Sequence, residues 1–140
     1  MRQIQNLLTD EEIARIIRDP LVQSNRETIG GTHRTVSFDI ALPQDIAQKV
    51  SDMLQISWPS SSRIPMRWIH GDSPMHIDRA WDHNAFTTTH LIYLTDSDGS
   101  LVIGDVHYPI RAGDGYMFAE GLPHGTQKRD LDTIIDGPFQ

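Results

Sequence analysis

A histidine and an aspartate stand two apart in PMHIDRAW, at His76 and Asp78, directly after a segment that reads as a β-strand. Alternate residues of a strand point the same way. The pair is therefore either two legs of a metal site or a surface pair on a turn. The chain carries seven histidines in 140 residues, and imidazole is the commonest protein ligand for metals.

Most of the seven read as something else. His76, His83 and His90 recur every seven residues, which would line one face of a helix. Pro74 and the strand-prone run Phe86-Thr87-Thr88-Thr89 argue against a helix there. His90 alternates with Tyr93 along a strand, so if Tyr93 faces the interior, His90 faces outward and is no ligand. His83 lies in a polar loop, within reach of a substrate at most, while His70 at a strand end and His107 on a short hairpin strand read as structural. His124 differs, because the turn at Arg111–Asp114, the strand Tyr116-Met117-Phe118 and the loop Glu120-Gly121-Leu122-Pro123 deliver it. Two histidines and one carboxylate on one face of a metal, with the opposite positions open, form the facial triad of non-haem Fe(II) oxygenases. His76, Asp78 and His124 could supply it.

The elements that would position these residues can be read from local signals. Thr9 and Glu12 form a capping-box pattern ahead of Ile13, Ile16 and Ile17 at helical spacing, and Pro20 stops that helix. A strand is predicted over 32–41 after the turn at Gly30-Gly31. Pro43 is predicted to open a second helix, with Ile46, Val50, Met53 and Leu54 as its apolar stripe. From about Trp58 onward the chain breaks into strand-like pieces separated by Gly, Pro and Asp, at 63–70, 86–94, 101–103, 106–110, 115–118 and 132–139. Gly104-Asp105 reads as a tight hairpin turn. Two helices followed by many short strands predict a mainly β fold, a jelly roll with helices packed on one face.

Composition bounds the function. At 140 residues the chain is expected to form one domain, with helical support to about residue 57 and a jelly-roll core from about 58 to 140. A net charge of −7 without any basic block argues against nucleic acid or an anionic membrane and favours a small-molecule or peptide partner. The absence of cysteine excludes disulfides and thiolate metal sites. The opening MRQIQNLLTDEE has no apolar run of signal-peptide type and no stretch approaches a membrane span, so a cytoplasmic location is expected.

The flanks of the triad sharpen the reading. MRWIHGDSPMHID, then THLIYLTDSDGSLVIGD, then YPIRAGDGYMFAEGLPHGT resemble the Fe(II)/2-oxoglutarate-dependent dioxygenases of the prolyl 4-hydroxylase-like branch. The likeness is carried by Arg67-Trp68 with Gly71, Tyr93-Leu94-Thr95-Asp96, Gly99-Ser100-Leu101, and Ile110-Arg111-Ala112-Gly113 with Phe118. It spans about residues 63 to 126 and extends more weakly to NLLTDEEIARII. It implies a double-stranded β-helix in which His76, Asp78 and His124 ligate Fe(II). Tyr93 would hydrogen-bond the cosubstrate carboxylate, and Trp68 would stand where many relatives have Tyr. The implied reaction uses O2 and 2-oxoglutarate to hydroxylate a substrate, releasing succinate and CO2.

One position departs from the resembled pattern. The family carries an Arg or Lys nine or ten residues beyond the distal histidine, to pair with the 5-carboxylate of 2-oxoglutarate; here those positions hold Thr133 and Ile134. A guanidinium clamp is the natural partner for such a carboxylate. Arg129 could reach in, with Lys128 beside it, or a cation could come from Arg67, Arg79 or Arg111, while Thr133 could donate one hydrogen bond. Two other readings accompany the dioxygenase: a cupin-like metalloenzyme that does not use 2-oxoglutarate, and a non-catalytic member of the fold. So short a domain has few insertions to form a lid, so a homodimer could complete its pocket.

Overall fold

The computed structural model describes residues 1–29, 34–55, 63–71, 73–76, 88–96, 99–119, 122–127 and 131–136. In chain order the elements are β1 (Arg2–Ile4), α1 (Asp10–Ile17), α2 (Pro20–Glu27), β2 (Thr35–Ala41), α3 (Gln44–Leu54), β3 (Arg63–His70) and β4 (Ser73–His76). There follow β5 (Thr88–Tyr93), β6 (Ser100–Ile103), β7 (Val106–Pro109), β8 (Gly115–Ala119), β9 (His124–Gln127) and β10 (Leu131–Asp136).

Helix α1 begins as its sequence requires. Thr9 Oγ1 accepts from the Glu12 amide at 3.2 Å, and Glu12 Oε1 accepts from the Thr9 amide at 2.9 Å, which satisfies two of the donors a helix start leaves bare. Lys49 of α3 reaches the same Glu12 carboxylate at 2.6 Å, tying α1 to α3. Pro20 does more than stop α1. With Asp19 as N-cap, bonded to the Leu21 amide at 2.8 Å, it opens α2. Proline suits a first helical turn because its missing N–H has no partner to lose there. The two helices read from the sequence are therefore three among the described residues.

The strands form two antiparallel sheets. The larger has the order β1-β8-β5-β10-β3-β2 and the smaller β4-β9-β6-β7. This is the jelly roll predicted from the sequence, with the helices on one face of the larger sheet. The N-terminal segment does more than support it, since β1 and β2 form the two edges of the larger sheet.

Period-two alternation sorts the larger sheet's side chains into two cores. Ile64, Met66 and Trp68 of β3 face the helices together with Ile92 of β5 and Met117 of β8. Ile69, Leu91, Tyr93, Tyr116 and Phe118 face the smaller sheet, where Leu101 and Ile103 of β6 meet them. Gly104 has φ +61 in the two-residue turn between Ile103 and Val106, the hairpin predicted there. The turn at Arg111–Asp114 is also as predicted: Gly113 has φ +89 and the Asp114 amide donates to the Arg111 carbonyl at 3.2 Å, the requirement of a type II turn.

Candidate active site

Strand β9 lies between β4 and β6, and the register puts His124 opposite His76 on one side and Ile103 on the other. Directly opposed residues of an antiparallel pair share a face and lie about 5 Å apart. Two of the three ligand positions read from the sequence are therefore cross-strand neighbours. His124 does not end a loop, as the sequence suggested, but opens a strand. Asp78, the third position, lies outside the described residues, as do Arg79, Arg129 and His83.

His124 is buried, and its ring lies tilted on that of Phe118, with centroids 4.8 Å apart. Its Nδ1 is 3.0 Å from the carbonyl of Leu122. A carbonyl only accepts, so Nδ1 carries the proton and Nε2 carries the in-plane lone pair. That is the arrangement which orients an imidazole for metal ligation.

Two residues along β9, Thr126 occupies the same face, opposite Leu101. Its Oγ1 is buried and has no hydrogen-bond partner among the described residues. A hydroxyl shut away from water without a partner costs about 1–3 kcal/mol, and a ligand bound in the interior would relieve it. The sequence reading passed over Thr126; once His124 is seen to begin a strand, the H-x-T alternation points to it. Tyr93 faces the same interior as expected, fully buried and edge-on to Tyr116 at 5.7 Å. Burial, with Asp114 adding to it, pushes the Tyr116 phenol up to about 12, and its hydroxyl donates to the Pro109 carbonyl.

One residue expected at the cosubstrate is placed elsewhere. Trp68 points toward the helices, where its indole N–H donates to the Val22 carbonyl at 2.9 Å and Arg26 lies over its ring at 5.7 Å. Its one donor is spent on the helical layer. Thr133, also expected at the cosubstrate, is the Cα partner of Trp68 in the β3–β10 ladder; its side chain lies outside the described residues. The Cα partners of position 134 are Tyr93 of β5 and Arg67 of β3.

Of the other described histidines, His90 sorts as the alternation indicated. His90 is buried on the helix side, opposite Met117, and burial holds its pKa below the ordinary value. His107 is exposed, its Nδ1 3.0 Å from Ser100 Oγ. His70 is exposed at the end of β3, its amide donating to the Arg34 carbonyl at 2.8 Å.

No protein-family model matches the sequence, and no curated protein matches it. Solved structures do. A prolyl-4-hydroxylase from Pseudomonas putida superposes with a TM-score of 0.61 at 13% identity, over 96% of this chain and 89% of that one. The viral collagen prolyl hydroxylase of Paramecium Bursaria Chlorella virus-1 does so with a TM-score of 0.63 at 14% identity, over 96% and 87%. The chain has the prolyl-4-hydroxylase fold. HygX from Streptomyces hygroscopicus, solved with nickel and 2-oxoglutarate bound, matches with a TM-score of 0.58 at 15% identity, over 98% of this chain and 82% of its own. At these identities the likeness is one of fold, and within the prolyl-4-hydroxylase fold it is the ladder from β4 through β9 to β6 that carries His76 and His124. Among the described residues no helix is long and apolar enough to cross a membrane.

Proposed function

We propose that the chain is a non-haem Fe(II)- and 2-oxoglutarate-dependent dioxygenase that hydroxylates a peptide, prolyl or small-molecule substrate. The observation that carries this reading is the pairing of His76 with His124 across β4 and β9, with the His124 proton held on Nδ1 by Leu122. His76, Asp78 and His124 would hold the metal. The donor set fits: two neutral nitrogens and one carboxylate leave half of an octahedron open.

Fe(II) with 2-oxoglutarate supplies the oxidising power to hydroxylate a C–H bond with dioxygen, releasing succinate and CO2. The chain's own contribution is position and dryness. Leu122 and Phe118 fix the plane of the His124 ring. Tyr93 and Tyr116 wall the interior with aromatic surface and exclude water, which strengthens every polar contact made inside. Thr126 Oγ1 offers a hydroxyl to the oxygens of a bound 2-oxo acid, and Tyr93 is the second hydroxyl on that interior face.

A second reading, a cupin-like metalloenzyme that does not take 2-oxoglutarate, draws support from β10, where the position paired with Tyr93 and Arg67 holds Ile134 rather than a cation. Anaerobic addition of Fe(II) and then 2-oxoglutarate separates the two. The dioxygenase gives a visible charge-transfer band that disappears in His76→Ala, Asp78→Ala and His124→Ala, and it forms succinate on admission of air. Metal binding with neither band nor succinate overturns the first reading in favour of the second.

A further inference from the structure

Position 134 is opposed on its two sides by Tyr93 and Arg67, so the three form one row across the hydrogen-bonded strands β5, β10 and β3. Met66 and Trp68, the chain neighbours of Arg67, pack toward the helices. Ile69, two residues on, packs between the sheets with Tyr93. The unbroken β3–β10 register therefore puts Arg67 on the inter-sheet face. It is half-buried there, and its Nε is buried.

An arginine one strand over from position 134 stands about 5 Å from it across the sheet. Its long stem can lie along apolar surface while the planar head reaches a ligand. The guanidinium presents paired donors that match a carboxylate in two parallel hydrogen bonds. Of the other arginines named from the sequence, Arg111 is exposed in the turn at Arg111–Asp114, and Arg79 and Arg129 lie outside the described residues.

We propose that Arg67 of β3 is the specificity residue for a 2-oxo dicarboxylate, receiving the carboxylate remote from the metal end that β10 leaves without a cation at Ile134. This rests on the cosubstrate reading above. It assigns the recognition of the second carboxylate to the strand beside β10, in the row that Tyr93 completes.

Calorimetric titration of the Mn(II)-loaded protein with 2-oxoglutarate and with 2-oxobutyrate, which lacks the second carboxylate, tests it without turnover. The unsubstituted protein is expected to bind 2-oxoglutarate at least about 30-fold tighter, the contribution of roughly 2 kcal/mol typical of a charge-assisted pair. Arg67→Gln should remove that preference by weakening 2-oxoglutarate alone, with 2-oxobutyrate within about twofold. Arg67→Lys keeps the charge but loses the fork, and should weaken 2-oxoglutarate about tenfold. It also serves as the test if Arg67→Gln does not fold, as judged by thermal melting. A preference that survives in folded Arg67 variants, or one abolished by Arg129→Gln alone, overturns the assignment while leaving the cosubstrate reading standing. No preference in the unsubstituted protein overturns both.

Discussion

His76 and His124 are Cα partners in the antiparallel ladder between β4 and β9, and His124 is at the same time the partner of Ile103 on β6. Among the described residues, one histidine thus stands on a strand with only β9 beside it, the other on a strand held from both sides. His124 is further fixed by Phe118 and by the Leu122 carbonyl.

On the proposed reading, His124→Ala lowers the affinity for a divalent metal by at least about 100-fold, since it removes one of three ligands. His107→Ala, which removes an exposed ring bonded to Ser100, leaves that affinity unchanged. Equilibrium dialysis against Co(II) or Ni(II) measures both.

Trp68→Phe is expected to cost stability and spare ligand affinity. It leaves the Val22 carbonyl without its indole donor, at about 1–3 kcal/mol for a buried acceptor. Chemical denaturation reads the first effect and 2-oxoglutarate titration the second. A selective loss of 2-oxoglutarate binding in a protein of unchanged stability would contradict the placement of this side chain on the helix side.

Gly113→Ala should destabilise the protein by roughly 2–4 kcal/mol, from a Cβ at positive φ and from collision with a fixed backbone atom. A Cβ at this position would lie 2.5 Å from the Leu8 carbonyl oxygen. That carbonyl cannot retreat freely, because the Leu8 amide donates to the Gly113 carbonyl at 3.1 Å and the Gly113 amide to that of Tyr93 at 2.8 Å. A fall in the thermal midpoint checks it.

Acid should weaken the fold partly through His90. Burial lowers its folded pKa, outweighing the hydrogen bond at Thr88 that raises it. The unfolded chain therefore binds the proton more readily below about pH 6.5. Stability is complete above that value and declines as the pH falls through the interval to the lower folded pKa. The stability of His90→Gln, measured by denaturant unfolding at pH 7.5 and 5.5, should fall less between the two than that of the unsubstituted protein.

The amino-acid sequence by itself determined what depends on neighbours in the chain. The capping box at Thr9 and Glu12 and the turns at Gly104 and Gly113 each follow from one residue's conformational demand or from local hydrogen bonds. Tertiary structure decided the rest. Both faces of β3 are covered, so alternation divides Trp68 from Arg67 and Ile69 but cannot say which set meets the helices and which meets the second sheet. The family likeness pointed to Trp68; packing against α2 and the bond to Val22 reversed that, and put Arg67 on the inner face. Strand β9, a four-residue His-Gly-Thr-Gln segment, has no hydrophobic pattern of its own. It is a strand because β4 and β6 flank it and take up its backbone hydrogen bonds, and that same pairing brings His76 and His124 together.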